Sequence, residues 1–195
     1  MKSVQLTQDK EQRFLHINEN GQTCFLDYQG LLNFHKGDSW WGCAVGFRAL
    51  QLAAHLFSEN ATPWDRFHLY IVSAHPGPGV KDAIEYVTHC ISKDRFRLTE
   101  QAEASSGCDR DMQFEWWISD GRATANIKLR ENFVPEKFFT ILDRIKDPTH
   151  TQQDKKEFDQ CKSELSDLLW QTTLTSAFTS EFLPSPLSIG ALPDA

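Results

Sequence analysis

Four residues in the first half of the chain have side chains that bind divalent metals: His35, Asp38, Cys43 and His75. Zinc takes three or four nitrogen, sulfur or oxygen ligands at ~2.0–2.3 Å. His35 and Asp38 flank the start of a predicted helix, and His75 follows a predicted strand. These residues are therefore candidate metal ligands, with zinc the favoured ion. The alternative is a loop histidine and a helix-capping aspartate that never meet.

A second group of residues could contact an organic ligand. The pair Trp40-Trp41 stands at the start of the same predicted helix, where an aromatic ring either stacks on a flat ligand or fills space. Arg48 lies one to two turns further on and could hold a carboxylate or a phosphate through two parallel hydrogen bonds. A structural ion pair is the default alternative for Arg48.

The elements that must position these residues follow one order: helix, strand, helix and three strands. The nearly all-apolar run 68–74 is typical of a buried strand, and the Pro- and Gly-rich stretch 75–79 predicts an irregular loop. Asp120-Gly121 is a strong hairpin signal between the last two strands. This order predicts an α+β fold with helices on one face of a mixed sheet. The predicted helices are 41–57 and 81–91, and the predicted strands are 68–74, 96–101, 112–118 and 122–129.

The flanking segments divide the chain further. Residues 1–35 are expected to hold a hairpin turning at 18–21 and a short helix capped by Asp27. Residues 36–132 form the predicted core. Apolar residues at helical spacing in 133–174 predict two C-terminal helices, and the proline-containing tail 175–195 is expected to pack on the domain or dock on a partner.

Composition disfavours several classes of function. The 195-residue chain has a net charge of −7 and no run of more than two basic residues, which argues against nucleic acid and against an anionic membrane surface. No signal peptide and no stretch of ~18 apolar residues is present, so a cytoplasmic protein is expected. The 5 cysteines include no Cys-x-x-Cys pair and are expected to be free thiols.

Two stretches carry a resemblance to a known family. Residues 42–49 read GCAVGFRA after Phe34-His35, and residues 82–90 read DAIEYVTHC. They resemble the E-subunit family of formylmethanofuran dehydrogenase, in which a helix opens with Cys-Pro-Gly after one or two His residues and a second motif runs from an Asp to a Cys. The resemblance covers about residues 31–130, and the family's helix–strand–helix–three-strand core agrees with the order above.

The resemblance implies that His35, Asp38, Cys43 and His75 converge on one pocket, between the helix start at 40–43 and the loop at 75–79. It also implies that Cys90 lines that pocket. The chain departs from the family pattern, because Trp40-Trp41-Gly42 replaces Cys-Pro-Gly and the C-terminal zinc ribbon of many members is missing. The expected metal site is therefore partly overwritten.

Three functional hypotheses follow. The first is a divergent member of this E-subunit family that binds a metal ion or a small ligand in the pocket, as an accessory to one-carbon or molybdenum/tungsten enzyme metabolism. The second is a non-catalytic homodimeric binding or scaffold protein, in which the apolar stripe of helix 151–172 is buried between the two copies. The third is a metal-dependent enzyme that uses His35, Asp38 and His75.

Overall fold

The first two strands and the first helix form a small N-terminal unit. The computed structural model describes residues 13–60, 64–105 and 107–193. Strands β1 (Phe14–Glu19) and β2 (Gln22–Asp27) pair as an antiparallel hairpin. Its two-residue turn has positive φ at both Asn20 and Gly21, which is the turn that this sequence predicts. Asp27 then caps helix α1 (Tyr28–His35) by accepting a hydrogen bond from the amide of Gly30, as predicted.

The rest of the chain alternates helices with the strands of one larger sheet. The elements after α1 are α2 (Trp40–Glu59), β3 (Tyr70–Ser73), α3 (Pro78–Thr88), β4 (Phe96–Leu98), α4 (Glu100–Ala104), β5 (Glu115–Ser119), β6 (Thr124–Leu129), α5 (Glu136–Lys146), α6 (Gln152–Gln171), α7 (Leu174–Ala177) and β7 (Phe178–Leu183). The fold is α+β, with a mixed sheet and C-terminal helices, as the sequence predicts.

The main sheet has five strands in the order β4-β3-β5-β6-β7. Strands β3 and β4 are parallel and all other neighbours are antiparallel. Alternation along β5 and β6 sends every second side chain towards the helices, and Trp116 on that face is 1 % exposed. Trp117 faces the other side and is half-buried, so one tryptophan of the pair is core and its neighbour is not.

Glycines bring helices α2 and α3 into close contact along their first turns. A β-carbon on Gly46 would lie 2.9 Å from the β-carbon of Ala83. A β-carbon on Gly79 would overlap the carbonyl oxygen of Ser39 and lie 2.8 Å from the amide nitrogen of Cys43. Helix packing therefore requires glycine at these positions, and the two helices begin side by side.

Helix α6 lies along α2, and its apolar stripe is buried within the single chain. Cys161, Leu165 and Leu169 are all buried, while Leu168 on the outer face is exposed. Two long-range hydrogen bonds hold α6 in place, from Lys162 to the carbonyl of Asp38 and from Arg48 to the carbonyl of Thr172. The stripe is thus packed against the chain's own core, and a homodimer would need another surface.

The sequence did not predict α4, α7 or β7. Strand β7 pairs along the whole of β6, within the segment expected to be tail. The residues after it pack on the domain: Leu187 donates to the hydroxyl of Ser119, and Tyr70 donates to the carbonyl of Ala191. In the described ranges, no helix combines the length and the apolar character needed to cross a membrane.

Candidate functional site

A cavity of about 170 Å³ opens between the start of α2 and the loop at 75–79. This is the region in which the family resemblance implied a pocket. The first turns of α2 and α3 and the loop between β3 and α3 form one part of its wall. The segment before β5 and the C-terminal helices α5 and α6 form the rest. The whole cavity is lined by Asp38, Ser39, Trp41, Gly42, His75, Gly77, Pro78, Gly79, Cys108, Met112, Phe138, Leu142, Phe158 and Lys162.

His75 is one buried side chain of this cavity that has an unused hydrogen-bonding atom, and Trp41 is another. The residue is 3 % exposed, and its Nδ1 accepts a hydrogen bond from the amide of Gly77 at 3.0 Å. The ring proton is therefore on Nε2, which lies within hydrogen-bonding distance of no described residue. Burial lowers the pKa of His75 to about 3, so the ring is neutral at physiological pH. His75 thus offers the cavity an uncharged N–H donor.

The first turns of α2 and α3 both border the cavity. The first amides of any helix lack an acceptor within the helix. Neither Ser39 at the start of α2 nor Gly77 at the start of α3 provides a side-chain cap, and neither first turn contains an acidic residue. Each helix start carries a partial positive charge of roughly half an elementary charge. Two such charges lie side by side here, an arrangement that an anion stabilises.

Lys162 adds a full positive charge at the same place. It is 5 % exposed, and its Nζ donates to the carbonyl of Asp38 at 2.7 Å and to the carboxylate of Asp159 at 2.9 Å. The ammonium also lies 4.0 Å from the ring centre of Trp40. An ammonium has three N–H donors, and these two oxygen partners use two of them. One donor remains for a group bound in the cavity.

His35 has no free ring nitrogen, although it was a predicted metal ligand. Its Nδ1 lies 2.7 Å from a carboxylate oxygen of Asp82, and its Nε2 accepts a hydrogen bond from the amide of Ser39. The ring thereby fixes the corner between α1 and α2. Because both nitrogens have protein partners, His35 serves as a structural link in this arrangement.

The other predicted ligands are also separated. Cys43 is buried, and burial raises the pKa of its thiol to about 12, which keeps it protonated. Asp38 is exposed at the rim of the cavity and only His75 of the four contributes an available nitrogen. In the described part of the chain, no group of three or more His, Cys, Asp or Glu residues is placed to hold a metal ion. The metal site stays a prediction, and this geometry lends it no support.

The four predicted ligand-binding residues have different positions. Trp41 borders the cavity, and its buried indole N–H has no partner among the described residues. Trp40 packs against Lys162. Arg48 is buried away from the cavity and donates to Gln51 and Thr172, so its role is structural. Cys90 is buried beneath β3, its thiol donates to the carbonyl of Leu69, and burial raises its pKa to about 11.

A larger cavity of about 310 Å³ lies beside β1, on the other side of α2. Its main polar side chains bond to the protein itself: Arg48 to the carbonyl of Thr172, and Gln51 to the carbonyl of Phe14. His55 lies 3.6 Å from Glu59, beyond hydrogen-bonding distance, and its Nε2 and the indole Nε1 of Trp64 are buried without a partner among the described residues. The smaller cavity is the candidate site because a buried lysine and the starts of two helices border it.

Sequence reasoning missed Lys162, Cys108 and the apolar lining residues Met112, Phe138, Leu142 and Phe158. Lys162 comes from a helix that pattern alone marked as amphipathic, and Cys108 comes from an irregular segment. One signal was present: Lys162 follows Phe158 by one helical turn and shares a face with Cys161 and Leu165, so a lysine stood on the apolar stripe.

Comparisons with known proteins assign the chain to no group. No family model matches it, and no curated protein matches it.

Proposed function

We propose that this protein binds a small anion in the cavity between the starts of α2 and α3. The observation that carries the proposal is the unpartnered N–H of His75, in a cavity that Lys162 and two uncapped helix starts also border. Each group is a hydrogen-bond donor or a positive charge. An anion would satisfy them together, whereas a cation would face repulsion from all of them.

Membership of the E-subunit family of formylmethanofuran dehydrogenase remains part of the proposal. The cavity coincides with the pocket that this resemblance implied. However, the residues that carry the resemblance also have structural roles here, since Gly42 and Gly46 allow α2 to pack on α3 and Asp82 binds His35. Two alternatives stay open as proposals. One is an accessory role beside one-carbon or molybdenum/tungsten enzymes, and the other is a non-catalytic homodimeric scaffold, for which no ligand would bind in the cavity.

The test is thermal unfolding and calorimetric titration with three simple probes: acetate, benzoate and inorganic phosphate. A ligand that binds only the folded state raises stability by RT ln(1 + [L]/Kd). We expect saturable binding of at least one probe to the wild type. The Lys162→Met variant should bind it about tenfold more weakly, the loss of one charge-assisted hydrogen bond.

Lys156→Met is the matched control. It removes the same charge from an exposed position on the same helix and leaves the cavity unchanged. Equal responses of the wild type, Lys162→Met and Lys156→Met would overturn the proposal. If Lys162→Met does not fold, Asp159→Asn provides the second variant: it removes the negative charge beside Lys162 and should tighten binding of the probe, and unchanged affinity would count against the proposal.

A further inference from the structure

The lining of the cavity has polar donors, which form its polar end, and apolar side chains, which form its apolar end. The donors come from the start of α2, the loop at 75–79 and Lys162. The apolar side chains are Met112 from the segment before β5, Phe138 and Leu142 from α5, and Phe158 from α6. The two ends meet at α6, where the ammonium of Lys162 lies 4.9 Å from the ring centre of Phe158. We infer that the natural ligand is a monocarboxylate whose charged group faces the donors and whose compact apolar body, of the size of a benzene ring, packs on the C-terminal helices. This inference rests on the proposed function.

The charge of the polar end fits one negative charge. The positive charge of Lys162 is offset by the carboxylate of Asp159, while the carboxylate of Asp38 is exposed at the rim, where solvent and salt screen it. His75 contributes a donor without a charge. What remains is little more than the two partial charges of the helix starts, together roughly one elementary charge. A carboxylate matches this balance, while a phosphate dianion would be incompletely neutralised.

The apolar end excludes ligands rich in hydroxyl groups. A hydroxyl placed against Phe138, Leu142 and Phe158 would lose its hydrogen bonds to water and gain none from these side chains. An apolar group placed there gains instead, because it covers side chains that would otherwise face water in the cavity. Sugars and nucleotides are therefore poor candidates, and a hydrocarbon body is favoured.

The volume sets the size of that body. A protein cavity of about 150 Å³ lined by apolar side chains accommodates one benzene molecule. The candidate cavity of about 170 Å³ therefore holds a benzene-sized body with its carboxylate, such as benzoate or a short branched acid. A fused two-ring acid exceeds this space.

The experiment compares four probes by isothermal titration calorimetry on the full chain: benzoate, benzamide, acetate and inorganic phosphate. Benzamide has the shape of benzoate without its charge, and acetate has the charge without the ring. We expect benzoate to bind about tenfold more tightly than each of the other three. Preference for acetate or phosphate, or equal binding of acetate and benzoate, would overturn the carboxylate-plus-ring inference and leave the anion site standing.

Two other outcomes would overturn the anion site as well as the carboxylate inference. Equal binding of benzamide and benzoate would remove the anion from the recognition and overturn both proposals. No binding of any probe would overturn both as well.

A pair of variants tests the apolar wall directly. Leu142→Ala enlarges the cavity and should allow 2-naphthoate to bind about tenfold more tightly than it binds the wild type. The matched control is Leu165→Ala, which makes the same truncation at a buried position of α6 that does not border the cavity. If both variants change the affinity for 2-naphthoate equally, the bound acid does not lie against Leu142, and the assignment of the apolar end is overturned.

Discussion

The corner around His35 and the cavity around His75 each contain a histidine, but the two imidazole rings have different hydrogen bonding. At the corner, both ring nitrogens of His35 bond to the protein, one to Asp82 and one to the amide of Ser39. In the cavity, only Nδ1 of His75 bonds to the protein, and Nε2 is left without a described partner. A polar group that is fully bonded holds the fold together, whereas one that is half bonded is available to a ligand. The comparison predicts different consequences when each region is altered.

The largest effect on stability is expected at the contact of α2 with α3, because this contact positions both the corner around His35 and the cavity. Gly79→Ala places a β-carbon against the carbonyl of Ser39 and the amide of Cys43, which are backbone atoms that cannot move independently. We expect a loss of about 3 kcal/mol in the free energy of unfolding, measured by urea denaturation.

Gly42→Ala is the contrasting variant for this contact. Its β-carbon would lie 3.3 Å from the nearest atoms, and alanine favours the helix, so the net change should stay below about 1 kcal/mol. Similar losses for Gly79→Ala and Gly42→Ala would show that the helix starts are not packed as described.

A smaller effect separates the two histidines. His35→Ala leaves the amide of Ser39 and the carboxylate of Asp82 without their partner, and should lower stability by about 2 kcal/mol while leaving probe affinity unchanged. His75→Asn keeps an acceptor near the amide of Gly77 but loses the Nε2 donor. It should weaken probe binding about tenfold, with a stability loss of only about 1 kcal/mol. Calorimetry and urea denaturation on both variants measure the two effects, and a loss of probe binding in His35→Ala would contradict the comparison.

The smallest effect is on the pH dependence of stability. Burial lowers the pKa of His75 in the folded state to about 3, whereas the unfolded chain has a value near 6.5. As the pH falls below about 6.5, the unfolded state gains a proton that the folded state does not take up, so stability decreases. Between pH 6 and pH 5 this loss amounts to about 1 kcal/mol from His75 alone.

The check is urea denaturation of the wild type and His75→Asn at both pH values. Lys81, Lys162, Asp38 and the thiol of Cys108 also face or approach the cavity, and the variant retains all of them. Their contributions therefore cancel in the difference between the two proteins. Identical losses in the wild type and the variant would show that His75 titrates normally.

Much of the fold could be predicted from local patterns. The turn at Asn20-Gly21, the cap at Asp27 and the hairpin at Asp120-Gly121 each depend on a few adjacent residues, and each appears as predicted. Strand β7 could not be predicted in this way. Its sequence FTSEFL has exposed polar residues between apolar ones, and its place beside β6 depends on pairing across some fifty residues of intervening chain.

The candidate cavity lies in the region where the family resemblance implied a pocket, between 40–43 and 75–79. Loop and helix signals predicted the elements on either side of it, but they could not decide which polar side chains would form hydrogen bonds within the protein. Asp82 lies 47 residues from His35 and binds it, and Lys162 reaches the cavity from 124 residues beyond Asp38. Such partners follow from the tertiary fold, which helical spacing alone does not determine.

The two hydrogen bonds that fasten α6 to the beginning and middle of α2 have a consequence for how the protein is made. Asp38 and Arg48 leave the ribosome long before Lys162 and Thr172, because 124 residues separate the members of each pair. At a synthesis rate of about 5–20 residues per second, the face of α2 that packs against α6 stays exposed for on the order of ten seconds before α6 is synthesised. During that interval the nascent chain presents a surface that chaperones recognise, and substitutions that stop translation before α6 should yield aggregates.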